Sequence, residues 1–129
     1  MSERVTLILA TTLGAFAVAL GAFGAHALEA MLEARGRADT WDLAVNYQII
    51  HALVLLSIGI LMRSIKNSWL NYSSLLILAG IVCFSGSLYV LCLTNIIFPL
   101  VLITPLGGVL LMAGWLALLA GVLKSYQKS

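Results

Sequence analysis

His26, His51, Asn46 and Gln48 stand inside long apolar stretches of this 129-residue chain. Strongly polar groups at such positions mark candidate sites, because hydrocarbon makes them costly to keep. Tyr47, Ser85, Ser87, Tyr89 and Thr104 supply hydroxyls in the same kind of setting. On a helix, Tyr47 and Gln48 lie four and three residues before His51, so one face carries all three. Ser85 and Tyr89 are also four residues apart. Imidazole, amide and hydroxyl groups together can hold a lipid headgroup, a small molecule or a partner helix through hydrogen bonds. Neutral imidazole also ligates haem or metal. The helix rise, however, separates His26 from His51 by about 10 Å in depth. No His, Cys or carboxylate stands four residues from either at that level, so no haem, metal or other cofactor is expected. Ser85 and His51 can meet, but no intramembrane acid orients them, and enzymatic activity is not expected. The plainer alternative is that each histidine donates to a neighbouring carbonyl or hydroxyl and fixes helix register.

The elements that must position these groups follow from composition. The chain is 62% hydrophobic and 9% charged, against about 25% charged for a soluble domain. Residues 5–28, 43–62, 70–93 and 105–123 contain no Asp, Glu, Lys or Arg. About 20 apolar residues cross a hydrocarbon core of roughly 30 Å. The ten-residue alternation of a membrane β-barrel is missing. The expectation is an all-α membrane protein, four transmembrane helices over those ranges, forming one domain over 1–129. Ala25-His26-Ala27 has the form of a signal-peptidase site. The preceding apolar run exceeds a signal h-region of about 7–15 residues, so it reads as a span.

Charge orients the spans. Arg4, Arg63, Lys66, Lys124 and Lys128 fall on one side, while Arg35 and Arg37 fall on the other with Glu29, Glu33, Asp39 and Asp42. The positive-inside rule puts both termini in the cytoplasm. No basic stripe with interleaved aromatics points to nucleic acid. In this topology Tyr47 and Gln48 lie about 7–9 Å inside the outer end, His51 about 13 Å, Ser85 about 12 Å and Tyr89 roughly 6 Å. His26 and Thr104 lie near that end. The groups can converge as a polar cup in the outer half. In the inner half Thr11, Thr12, Ser57, Ser73 and Ser74 can satisfy their hydroxyls on their own helices. A closed cup fits better than a pore through one subunit. A transporter or channel formed between protomers remains the alternative.

Small residues set the packing. Ala10, Gly14, Ala17, Gly21 and Gly24 follow spacings of 4, 3, 4, 3. Seven-residue steps recur at Ala52 and Gly59, at Ser73, Gly80 and Ser87, and at Gly107, Gly114 and Gly121. Heptad spacing implies a left-handed bundle crossing near +20°, with close backbone approach. Such seams suit a homo-oligomer embedded among membrane lipids. Cys83 and Cys92 point to opposite faces about 13 Å apart, so they form no disulfide with each other. Residues 29–42 should be partly helical before Gly36, with Thr40 or Asp39 capping the second span. Trp69 suits a membrane interface. Residues 94–104 are too apolar for an exposed loop. They can lie in the interface, re-enter, or extend the last helix, and the preferred reading makes Thr104 its N-cap and Pro105 its first residue.

Several ordered motifs then carry a resemblance: Gly21-Ala22-Phe23-Gly24-Ala25-His26-Ala27-Leu28, Trp41, Ala44-Val45-Asn46-Tyr47-Gln48-Ile49-Ile50-His51-Ala52-Leu53, Phe84-Ser85-Gly86-Ser87-Leu88-Tyr89, Ile103-Thr104-Pro105-Leu106-Gly107-Gly108 and Gly114-Trp115. Nearly the whole chain resembles the domain of unknown function 423 family, the YgdD/YwdK-like small integral membrane proteins. That resemblance implies a four-helix protein of the bacterial inner membrane. It implies no activity, but its motif positions coincide with the outer polar cluster.

Overall fold

A computed structural model describes residues 1–127, so Lys128 lies outside the described residues. Among the described residues, four helices are long and apolar enough to cross a membrane, and there is no strand. The first span is α1 (Glu3–Ala25). Ser2 caps it by accepting the Val5 N–H, and Glu3 sits in the first turn at the positive end of the helix dipole. A short α2 (Glu29–Ala34) follows, as the sequence led us to expect before Gly36. Gly36 takes φ +62° and donates to Glu33 O, while Arg37 N–H donates to Leu32 O. This is a Schellman ending, in which a left-handed residue returns the last carbonyls of a helix to hydrogen bonds.

That turn delivers the chain directly into α3 (Ala38–Ser64). The helix therefore starts before the expected caps. Arg37 is the N-cap, without a side-chain cap bond, and Asp39 falls in the first turn. The third span, Ser68–Leu93, is interrupted. It comprises α4 (Ser68–Ile81), a π-helical turn at Val82–Gly86, and α5 (Ser87–Leu93). Asn67 caps α4 by accepting Leu70 N–H at 3.2 Å, and its own amide donates to Gly121 O at 3.0 Å.

The last span, α6 (Leu100–Tyr126), corrects the reading of Thr104 and Pro105. Pro99 is its N-cap, Thr104 is interior, and Pro105 lies inside the helix. The reason is the apolar run before Pro105. Backbone groups at membrane depth must be bonded, and a helix bonds them. Val101 N–H reaches Ile97 O, and Ile103 N–H reaches Pro99 O. Pro105 forfeits only the bond to Val101 O, a loss that membrane helices tolerate.

Helix α1 packs on α3, and α6 packs on α4, with α3 against α4 joining the pairs. Glycines open the contacts. A Cβ on Gly114 would meet Ile77 Cδ1 at 2.7 Å, one on Gly80 would meet Leu111 Cδ2 at 2.5 Å, and one on Gly121 would meet Leu70 Cδ2 at 3.0 Å. On Gly107 it would strike the Phe84 backbone, and on Gly24 the Trp41 ring. Gly21 has a looser neighbour, Val45 Cγ1 at 3.3 Å. Gly14 differs from the other seam glycines, with nothing within 4 Å of its Cβ position. Leu55, Ile58, Leu70 and Ile77 are fully buried at the centre. A second cluster of Leu32, Trp41 and Cys92 closes the end away from the termini. Cys83 and Cys92 are both free thiols. Glu3 pairs with Arg63 at 2.8 Å, and Asn67 bonds Gly121, so both termini share one end of the bundle. The other end carries α2 and the 94–99 connection and is called the loop end below.

Candidate functional site

The hydroxyl, amide and imidazole groups separate into a closed polar cluster and one open groove. In the cluster, Tyr89 OH donates to Gln48 Oε1 at 2.8 Å. Gln48 Nε2 donates to Leu13 O at 2.9 Å. One amide thus ties α5, α3 and α1 together, and Gln48 is only 4% exposed. Trp41 packs edge-on against Tyr89, with ring centroids 4.8 Å apart, and donates Nε1–H to Leu20 O at 2.9 Å. Depth arithmetic brought Gln48 and Tyr89 to one level, and the structure joins them.

Ser85 and Ser87 flank this cluster. Ser85, in the π turn, donates to Ala44 O at 2.8 Å. Its proton is committed to a backbone carbonyl of α3 rather than to His51. Ser87 Oγ lies 2.6 Å from Thr104 Oγ1. Phe84 O and Leu100 O stand within hydrogen-bond distance of Ser87 and Thr104 respectively. Each hydroxyl owns one proton, so the bonds run as a chain in one direction or the other. Among the described residues, no buried side-chain nitrogen or oxygen lacks a partner. The expected cup is therefore filled by its own side chains. Below it Leu55, Ile58, Ile77, Ile81 and Leu111 form a buried apolar layer.

His51 is different. Its Nδ1 lies 2.7 Å from Tyr47 O, and a carbonyl only accepts, so Nδ1 carries the proton. Trp115 Nε1–H only donates, and it points at His51 Nε2 from 3.4 Å. The two partners assign the tautomer: Nδ1–H, with a lone pair on Nε2. Around this ring the aromatics stack. Tyr47 lies 5.6 Å from His51 and 4.4 Å from Phe84, both nearly parallel, and Trp115 meets His51 edge-on at 6.5 Å. These side chains, with Ile50, Pro105 and Gly108, line a groove of about 550 Å³ between α3, the π turn and α6. Trp115 is 47% exposed, so the groove opens sideways from the bundle.

Two expected members stand apart. His26 is exposed just beyond α1, where its backbone N–H bonds Phe23 O at 3.3 Å. Asn46 is exposed on the outer face of α3. Conversely, Trp115 and Phe84 line the groove although neither is among the polar candidates that the sequence singles out. A signal for Trp115 existed. Counting rise from the expected helix starts puts it about 15 Å below the outer end, close to His51 at about 13 Å. Phe84 carried the same depth signal, about 13 Å below the outer end, but not its facing, because it lies in the π turn.

Fold and site define a four-span, all-α integral membrane protein with a lateral aromatic groove. The chain belongs to the family whose model is described as "Protein of unknown function (DUF423)", matched over residues 20–108. A UPF0382 membrane protein of Staphylococcus saprophyticus is 46% identical, over 94% of this chain and 98% of that protein. Another from Staphylococcus haemolyticus is 41% identical, over 94% and 97%. UPF0382 inner membrane protein YgdD of Escherichia coli K12 is 38% identical, over 99% and 96%. No solved structure matches the chain. The spans and the relatives together make this a multi-pass inner-membrane protein.

Proposed function

We propose that the chain is a membrane-embedded binding protein that takes a small apolar or amphiphilic molecule sideways from the bilayer into the groove beside His51. The observation that supports this is an aromatic groove of about 550 Å³ containing one ring nitrogen that accepts hydrogen bonds. Small-molecule sites span roughly 300–1,000 Å³ and combine apolar walls with a few placed polar groups. Trp115 holds Nε2 at 3.4 Å, well beyond the usual N–H distance of about 2.9–3.0 Å. A ligand hydroxyl or N–H replaces so long a bond at little cost. On this reading the closed cluster is scaffold: Gln48 and Ser85 clamp α3 to its neighbours and hold His51 in place.

Gly108 provides the test. Its Cβ position meets only the Phe84 ring, at 3.9 Å, so a larger side chain there extends into the groove rather than into a helix. Native mass spectrometry of the protein released from mild detergent should show a bound hydrophobic molecule. Gly108→Leu should lose it while keeping its helical circular dichroism. Wild-type protein carrying nothing, or a variant carrying the same molecule, rejects the reading.

A further inference from the structure

The reversal between α2 and α3 sets Arg35 and Arg37 side by side at the loop end. Arg35 is tethered: its Nη2 donates to Thr94 O at 2.6 Å and to Asn95 Oδ1 at 2.9 Å. Arg37 is half-buried, and among the described residues its guanidinium makes no hydrogen bond. The ion pair among the described residues joins Glu3 to Arg63, at the opposite end. Glu29, Glu33, Asp39 and Asp42 share the segment with these arginines, yet all are exposed and none pairs with either. Water and salt screen them there.

Two hollows meet at Arg37. One, of about 310 Å³, is polar at its rim and lined by Arg35, Arg37, Thr94, Asn95 and Ile97. The other, of about 350 Å³, runs between α5 and α6 along Leu88, Leu91, Val101 and Thr104. Arg37 and Ile97 border both. The neighbouring Ile96 and Phe98 are exposed apolar side chains, which suits a connection lying at the bilayer surface.

We propose that this composite hollow binds an acidic phospholipid, with its phosphate on Arg35 and Arg37 and one acyl chain along the α5–α6 groove. The guanidinium fork matches phosphate oxygens in pairs, and such charge-assisted bonds are about twice as strong as neutral ones. A half-buried arginine without a carboxylate partner leaves its guanidinium free to take an anion. The adjoining apolar hollow requires that the anion carry hydrocarbon. Free phosphate fills only the first hollow, and a zwitterionic lipid brings its own cation to the arginines. The site is separate from the His51 groove, although Pro105 borders both.

The test titrates the purified full-length chain in mild detergent and follows its thermal unfolding midpoint. Phosphatidylglycerol should raise the midpoint saturably. Phosphatidylcholine, which brings its own cation, and glycerol 3-phosphate, which lacks the acyl chains, should each need at least about tenfold higher concentration. Arg37→Gln should weaken the phosphatidylglycerol response by about the same factor. Val101→Trp, which fills the apolar hollow from an exposed position, should weaken it too and serves if Arg37→Gln fails to fold. Equal responses to the two lipids overturn the proposal. So does a response to glycerol 3-phosphate that matches the lipid, or a phosphatidylglycerol response unchanged in whichever variant folds.

Discussion

Tyr47 and Trp115 divide the two nitrogens of His51 between them, one taking a proton and the other giving one. That division makes the residue a fixed acceptor rather than a free base. Gln48 does the complementary work, accepting from Tyr89 and donating to Leu13 O across two helix contacts. Interhelical hydrogen bonds in membranes average about 0.6 kcal/mol and reach about 1.7 kcal/mol. Tyr89→Phe should therefore cost about 1 kcal/mol in reversible unfolding. Gln48→Leu should cost more, because it strands the Tyr89 hydroxyl and releases the α1 contact as well. Equal stability of Tyr89→Phe and wild type would show that the bond contributes nothing. At this scale the sequence made the Gln48–Tyr89 pair legible, because residue spacing and helix rise fix depth. It pointed Ser85 toward His51, whereas the hydroxyl bonds Ala44 O, because a backbone carbonyl has no signature in side-chain type.

Among the elements, the third span departs most from expectation. Its π turn at Val82–Gly86 faces Gly107 and Gly108 of α6, just past Pro105. The bare α-carbon of Gly107 lets the Phe84 backbone approach as no other residue would. Gly107→Ala should thus destabilise by about 1–3 kcal/mol through overpacking. Gly14→Ala is the contrast. Nothing lies within 4 Å of the added methyl, and alanine is favoured over glycine by up to about 1 kcal/mol in a helix. It should be neutral or stabilising. Thermal unfolding of the two variants in one detergent checks both, and a reversed order discredits the packing described. Sequence spacing picked both glycines as seam positions. Only the neighbouring helix distinguishes them.

At the scale of the molecule, an even number of spans brings both termini to one end, with Arg4, Arg63, Lys66 and Lys124 there and Arg35 and Arg37 at the other. The basic excess predicts that the termini end is cytoplasmic. A phosphatase active only outside the cytoplasm should be silent when fused after Gln127 and active when inserted in the 94–99 connection. The opposite pattern would invert the topology. The sequence by itself determined the four spans, the short helix before Gly36 and the family, because run length, composition and local motifs need no knowledge of neighbours. It also ranked the polar residues by depth, since helix rise is constant. Tertiary structure alone decided that the polar cluster is closed and that the groove beside His51 opens sideways at Trp115. Each of these depends on which helix faces which, and on the angle set by the π turn against Gly107. Those contacts join residues far apart in the chain, and no local pattern encodes them.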